Sequence, residues 1–595
     1  MSSTRNENLT ESEKRRLHVN QLKRLEQSEV LNRGLPEAEL FLSISRQWRR
    51  NLEHHIQTFA KPANLVPEIV MSLDLTVREE MSSDGTWHII LPIILKNLGE
   101  RSAFETRIWV KETGGTIHFK EETTKGSFLI EPGRLIYERF PLEIVDSAKC
   151  EIVGSFRDVH SHVDLKYFPF VNWEFDLRGV TELDASFDFN QSLDPLRHWD
   201  IFATRKLQEI VNRIVAETKS LIGGKVFTLT GMRQTGKTFV IEKLQEEIAS
   251  VVWNGKSKFL CARIVLNFEP NRSAFYFWED VLVSLEKALQ DSQNLVGNFK
   301  RIKQEANSEP ERQAWEKCRD LIQTLRDKFD VQVVLLIDQG DKIPFDIQGL
   351  SEQETVPAWR RLTTGLKTLI KDQNAVVVIA HSFGYGAWEK YFYGVSGRMD
   401  SRDILDYKIK LYTRSECLRY LENSPLTFSQ LGKECFWMLT GGHPGLMQLL
   451  VHYLYETAKQ EHSSGNQARA GFVIVSEVKQ TVNDILSDPM SSDYIQHLRS
   501  EFHPDELRLM ETLAINNYMF SGTCFFRPDR LSKPAGWVGI DSLQAQLQKD
   551  HGYQELNLSI KDLLDRLVDK EVFEVEATGI VRWRIGFFFS MILYY

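Results

Sequence analysis

From Pro67 to about Leu177 apolar residues recur at every second position. Met71, Leu73, Leu75 and Val77 alternate with Ser72, Asp74, Thr76 and Arg78, the period of a strand with one buried face. Turn signals at Ser83-Asp84-Gly85, Asn97-Leu98-Gly99, Gly114-Gly115 and Pro132-Gly133 separate strand-like runs over 87–95, 103–111 and 135–140. The pattern predicts an antiparallel β-sandwich of about seven strands. Ahead of it the period is helical. Thr10 to Glu13 forms a capping box before Leu17, Leu22 and Leu25, and Pro36 opens a second helix striped by Leu40, Ile44, Trp48 and Leu52. After Glu182, apolar strands alternate with amphipathic helices and then give way to helices alone, up to about Leu486. His503 to Tyr595 combines short helices with a strand pair near 572–575 and 580–585, the outline of a winged helix. The oily end from Gly586 to Tyr595 is too short to span a membrane and reads as a buried terminal element.

Length and charge narrow the class. The chain has 595 residues, enough for several domains, and a net charge of −9, which argues against a global electrostatic grip on nucleic acid. No apolar stretch near the start reads as a secretory signal. Six cysteines without a C-x-x-C pair fit a reducing cytoplasm better than a disulfide scaffold or a zinc site. Asp158, His160, His162 and Asp164 fall at alternate positions and could hold a metal from one strand face. A hairpin with a polar tip explains the same residues more simply.

The sharpest chemical signal is the apolar run 226–230 followed by Gly231-Met-Arg-Gln-Thr-Gly-Lys-Thr238 and a helical segment. This is a phosphate loop in strand–turn–helix context. Its glycines let backbone amides turn inward on a β-phosphate, and the helix start adds its positive end. Gly231, Arg233, Gln234, Thr235, Gly236, Lys237, Thr238 and Phe239 are the candidate nucleotide contacts, with Lys237 reaching the β- and γ-oxygens and Thr238 holding Mg2+. The apolar strand Val333 to Ile337 ends in Asp338, the second candidate Mg2+ residue. Gln339 follows it where hydrolysing relatives carry an acid. A carboxamide can position water but cannot take its proton, so slow hydrolysis or bind-and-hold behaviour is expected. A third apolar strand, 375–380, ends in His381-Ser382, where either residue could sense a γ-phosphate; Ser382 joins Lys237, Asp338 and Gln339 as the candidate catalytic groups.

The order of these motifs, with LTGGHPGLMQLLVHYLYE after them, resembles the STAND class of P-loop ATPases, relatives of the AAA+ and origin-recognition ATPases, over roughly residues 186–595. The resemblance implies a helical lid whose Gly442, His443 and Pro444 lie against the nucleotide, a closing winged helix, and ATP with Mg2+ as ligands. It also implies nucleotide-dependent conformational change or oligomerisation, in many relatives for antiviral defence, here with a separate effector partner. Phe202-Ala-Thr-Arg205 stands where the family has Phe-x-Gly-Arg, and Arg398, Arg402 and Arg414 are candidate arginine fingers. KNLGERSAFETRIWV weakly resembles immunoglobulin-like modules. The expected architecture is multidomain: a helical arm over 1–62, a β-sandwich over 63–180, an α/β P-loop core over 181–405, a helical lid over 406–495 and a winged helix over 496–595. A DNA-associated AAA+ ATPase and a non-hydrolysing scaffold are the alternatives. Residues 501–595 carry fourteen acidic and ten basic side chains, which favours protein docking over DNA binding.

Overall fold

The computed structural model describes residues 67–158 and 166–176 with short breaks, 203–220, 224–265 with short breaks, 277–291, 314–340, 364–372, 375–382, 404–463, 471–521, 538–539, 560–575 and 580–594, together with Asn20. The expected helical arm (Asn20 apart), His160, His162, Asp164, Phe202, Arg398 and Arg402 lie outside them.

Seven antiparallel strands form the first module: β1 (Ile69–Leu73), β2 (Arg78–Met81), β3 (Trp87–Asn97), β4 (Ala103–Phe119), β5 (Thr124–Ile130), β6 (Leu135–Arg157) and β7 (Lys166–Asp176). Strand β6 serves two neighbours: its first half pairs with β3 and its second with β7, with β4 alongside. Alternation works as the sequence implies. Trp87, Ile89, Leu91, Ile93 and Leu95 of β3 are buried with Phe140, Leu142 and Ile144 of β6. Gly114-Gly115 is not a turn, however. Strand β4 runs straight through it, with register shifts on both sides of the pair. Gly115 has φ +81, and a Cβ there would meet Ser147 O at 2.1 Å. The site therefore demands glycine for a bulge and a close approach to β6, and glycine pairs in turns look the same in sequence.

The second module is a five-stranded parallel sheet: β8 (Val226–Thr230), β9 (Phe259–Val265), β10 (Gln332–Asp338), β11 (Val376–His381) and β12 (Ile404–Lys408), in the order β9-β10-β11-β8-β12. Such sheets are covered on both faces, and alternate residues divide accordingly. Val334 and Leu336 face the side of α2 (Lys237–Ala249), with Val240, Ile241 and Leu244. Val333, Leu335 and Ile337 face α3 (Phe277–Asp291) and α4 (Ala314–Phe329). The earliest strand, β8, lies between the two latest, so the carboxyl ends of β10, β11 and β8 stand side by side at one edge of the sheet. Helix α1 (Arg205–Lys219), capped by Thr204 Oγ1 accepting from Leu207 N at 3.1 Å, packs beside α2.

Helices α5 (Arg414–Glu422), α6 (Gln430–Thr440), α7 (Pro444–Ser463), α8 (Val475–Ser487) and α9 (Ser492–Arg499) follow. The chain ends with α10 (Pro504–Ser521), α11 (Ile560–Asp569), the antiparallel pair β13 (Phe573–Val575) and β14 (Ile580–Trp583), and α12 (Gly586–Tyr594). The oily terminus is α12, whose Phe587, Phe588 and Met591 are fully buried. No helix among the described residues is long and apolar enough to cross a membrane. One apolar cluster runs without interruption from the β module through α6–α8 to α12 and one face of the parallel sheet.

Candidate functional site

The loop after β8 turns on two left-handed residues, Gln234 at φ +58 and Gly236 at φ +95. Gly236 precedes α2, and no side chain caps that helix, so its first amides remain available to an anion. Lys237 opens α2 with its side chain buried under the loop, where Nζ donates to Gly231 O at 2.8 Å and Met232 O at 2.5 Å. Thr235 Oγ1 donates to Met232 O at 2.8 Å and fixes the turn from within. Phe239 is buried in the first turn of α2, with its Cδ1 4.0 Å from where a Cβ on Gly236 would stand.

Parallel pairing brings the second motif to the first. Asp338 ends β10, and Thr238 Oγ1 donates to its Oδ1 at 3.1 Å across 100 residues of sequence. The Gln339 amide donates to the same oxygen at 3.0 Å. Oδ2 accepts from Arg263 Nη2 at 3.2 Å, and the same guanidinium reaches Glu242 at 2.6 Å. Asp338 is 2% exposed, so these bonds are what make its buried charge tolerable. The Thr238–Asp338 pair offers hard oxygen donors of the kind Mg2+ takes alongside phosphate and water. Among the described residues no cluster of three or more His, Cys, Asp or Glu could hold a metal by itself. Gln339 is held at φ +57, and its Oε1 is buried without a hydrogen-bond partner among the described residues.

Ser382 follows the end of β11, between the loop strand and the Asp338 strand, and its Oγ donates to Glu501 Oε1 at 3.1 Å. His381 Nδ1 lies 3.0 Å from Ser382 O. Arg233, at the crest of the loop, directs Nε to the same Glu501 oxygen at 2.8 Å.

The α6–α7 corner meets the loop from the other side. His443 is fully buried; its Nδ1 accepts from Leu446 N at 3.2 Å, so the proton sits on Nε2, which donates to Arg233 O at 3.0 Å. Burial pushes this imidazole down to about 4, against the weaker upward pull of the Arg233 carbonyl, so the ring is neutral at pH 7. Pro444 opens α7, and Gly445 N donates to Gln234 O at 3.2 Å. Gly442, at φ +77, passes so close to the chain after β12 that a Cβ would meet Tyr412 O at 2.2 Å.

The structure thus gathers Lys237, Thr238, Asp338, Gln339, Ser382, Arg233 and His443 at the ends of β8, β10 and β11. It does not bring Arg205 or Arg414 there: Arg205 is exposed and pairs with Glu209, and Arg414 pairs with Glu434. Two further residues at these strand ends, Arg263 and Glu501, belong to none of the sequence motifs. Arg263 is the lone charge in the run FLCARIV, a signal that was there to be read. Glu501 carried none, because only tertiary folding brings it to the loop.

Neither a family model nor a curated protein matches this chain. Solved structures do. The Aeropyrum pernix ORC2 protein in its ADPNP–ADP complexes is similar at 11% identity and TM-score 0.38, over 66% of this chain and 97% of that one. The Thermotoga maritima RuvB Holliday junction branch migration motor aligns at 12% identity and TM-score 0.30, over 65% and 93%. Drosophila ORC bound to DNA aligns at 12% identity and TM-score 0.29, over 70% and 95%.

Proposed function

We propose that this chain is an ATP-binding molecular switch of the STAND and AAA+ type. The observation that carries the reading is the convergence of Lys237, Thr238 and Asp338 on an uncapped helix start behind a left-handed loop. In that reading the amides of 235–238 and Lys237 hold the phosphates. Thr238 and Asp338 hold Mg2+, whose charge offsets that of the phosphates. Ser382 and Arg233 report on the terminal phosphate. Residues 406–495 form the lid, residues 496–595 the winged helix, and the immunoglobulin-like β module docks a partner, an effector in a defence system.

Gln339 favours a second reading, a nucleotide-holding scaffold, because a carboxamide, which cannot take a proton from water, stands in the position directly after Asp338. Titration calorimetry of the full chain with Mg–ADP tests the main claim. Lys237→Ala should weaken binding at least about tenfold by removing a charge-assisted phosphate contact. Equal binding by both proteins would overturn the assignment of the loop. Phosphate release from the same samples separates slow turnover from holding.

A further inference from the structure

Glu501 belongs to the link between α9 and α10, outside the parallel sheet, yet its side chain is 1% exposed. A single oxygen, Oε1, receives both Arg233 Nε at 2.8 Å and Ser382 Oγ at 3.1 Å. The Arg233 guanidinium is held there further by Ser500 Oγ at 2.9 Å. From the opposite side Lys570 Nζ donates to Glu501 O at 2.8 Å and to Glu506 Oε2 at 2.6 Å, which ties the link to the C-terminal elements. A loop guanidinium and a hydroxyl at the tip of the adjacent strand are the donors a terminal phosphate oxygen takes. Here those donors already converge on an anionic oxygen.

We propose that Glu501 is an internal stand-in for the terminal phosphate, which makes it the residue that discriminates nucleoside diphosphate from triphosphate. The proposal rests on the nucleotide reading above and adds its state preference. A diphosphate enters with Glu501 in place. A triphosphate brings a second anion toward the same two donors, where like charges out of water repel strongly, so it binds by expelling the carboxylate. Expulsion pulls residues 498–503 off the loop, and Lys570 transmits the movement to the C-terminal elements. The nucleotide then shifts the conformation only through its differential affinity for the two arrangements.

The test is calorimetry of the full chain with Mg–ADP and with Mg–AMP-PNP, comparing wild type with Glu501→Gln, which keeps the size and removes the charge. Wild type should bind AMP-PNP about tenfold more weakly than ADP, and E501Q should close that gap while changing ADP affinity less than about threefold. Wild type that binds both nucleotides with a ratio unmoved by E501Q overturns the proposal and leaves the nucleotide reading standing. Wild type that binds neither, like Lys237→Ala, overturns both. Hydrogen exchange on wild type needs no variant. The Glu501 and Phe502 amides donate to Leu498 O and Arg499 O. They should lose protection with bound Mg–AMP-PNP and keep it with Mg–ADP; retained protection in both states contradicts the expulsion.

Discussion

His443 shows how much one side chain can carry in this fold. The ring closes the N-terminus of α7 with one nitrogen and clasps the phosphate loop with the other, and it does both only while neutral. Its folded-state value of about 4 lies below the ordinary 6.5. A depressed value means the unfolded chain binds the proton more tightly. The stabilisation is therefore fully present above pH 6.5 and is lost as pH falls toward 4, amounting to about 3 kcal/mol over that window. Scanning calorimetry across it should show the melting temperature of wild type falling more steeply than that of His443→Asn, which can still cap α7 but cannot reach Arg233. Parallel slopes would remove His443 as the acid-sensitive group. At this scale the sequence was legible where chemistry is local. Lys237 and Thr238 follow from spacing alone, whereas the Arg263 and Glu501 contacts to Asp338 and Ser382 depend on strand order and on a distant link.

Among the elements, the parallel strands were the most legible, because continuous apolar runs such as 333–337 fit few environments other than a covered sheet. Strand β4 was the least. Its Gly114-Gly115 bulge carries the residues of a turn, and only the proximity of Ser147 distinguishes the two. The junction between β2 and the lid helices was also invisible. Glu79 is buried, and its Oε2 accepts from Val475 N at 2.9 Å, at the start of α8, and lies 3.5 Å from Ser429 Oγ, which caps α6. A carboxylate beside two helix N-termini is stabilised by both dipoles and satisfies donors that α8 cannot satisfy itself. Glu79→Ala should cost about 1–3 kcal/mol in urea unfolding, and Glu79→Gln, which keeps an acceptor oxygen, less. Equal losses would assign the effect to packing rather than to capping.

Across the whole molecule, the β module and the lid share a core. Phe472 packs edge-on against Trp87 and Phe175 at 6.0 and 5.8 Å, and Glu174 N donates to Gln430 Oε1 at 2.7 Å. A motion of α6–α8 away from the phosphate loop would therefore carry the β module with it. The C-terminal elements grip the connection between sheet and lid as well: Glu571 Oε2 accepts from Leu411 N at 2.7 Å, and Arg584 bonds the same carboxylate at 3.1 Å. In the proposed switch, nucleotide occupancy, the position of α6–α8 and the orientation of the β module are coupled through these contacts. Sedimentation velocity on the full chain tests this most directly, because it reports mass and shape together. One coefficient is expected without nucleotide and with Mg–ADP, a different one with Mg–AMP-PNP, and no difference in Lys237→Ala. An unchanged coefficient in all three states, with calorimetry showing AMP-PNP bound, would contradict it.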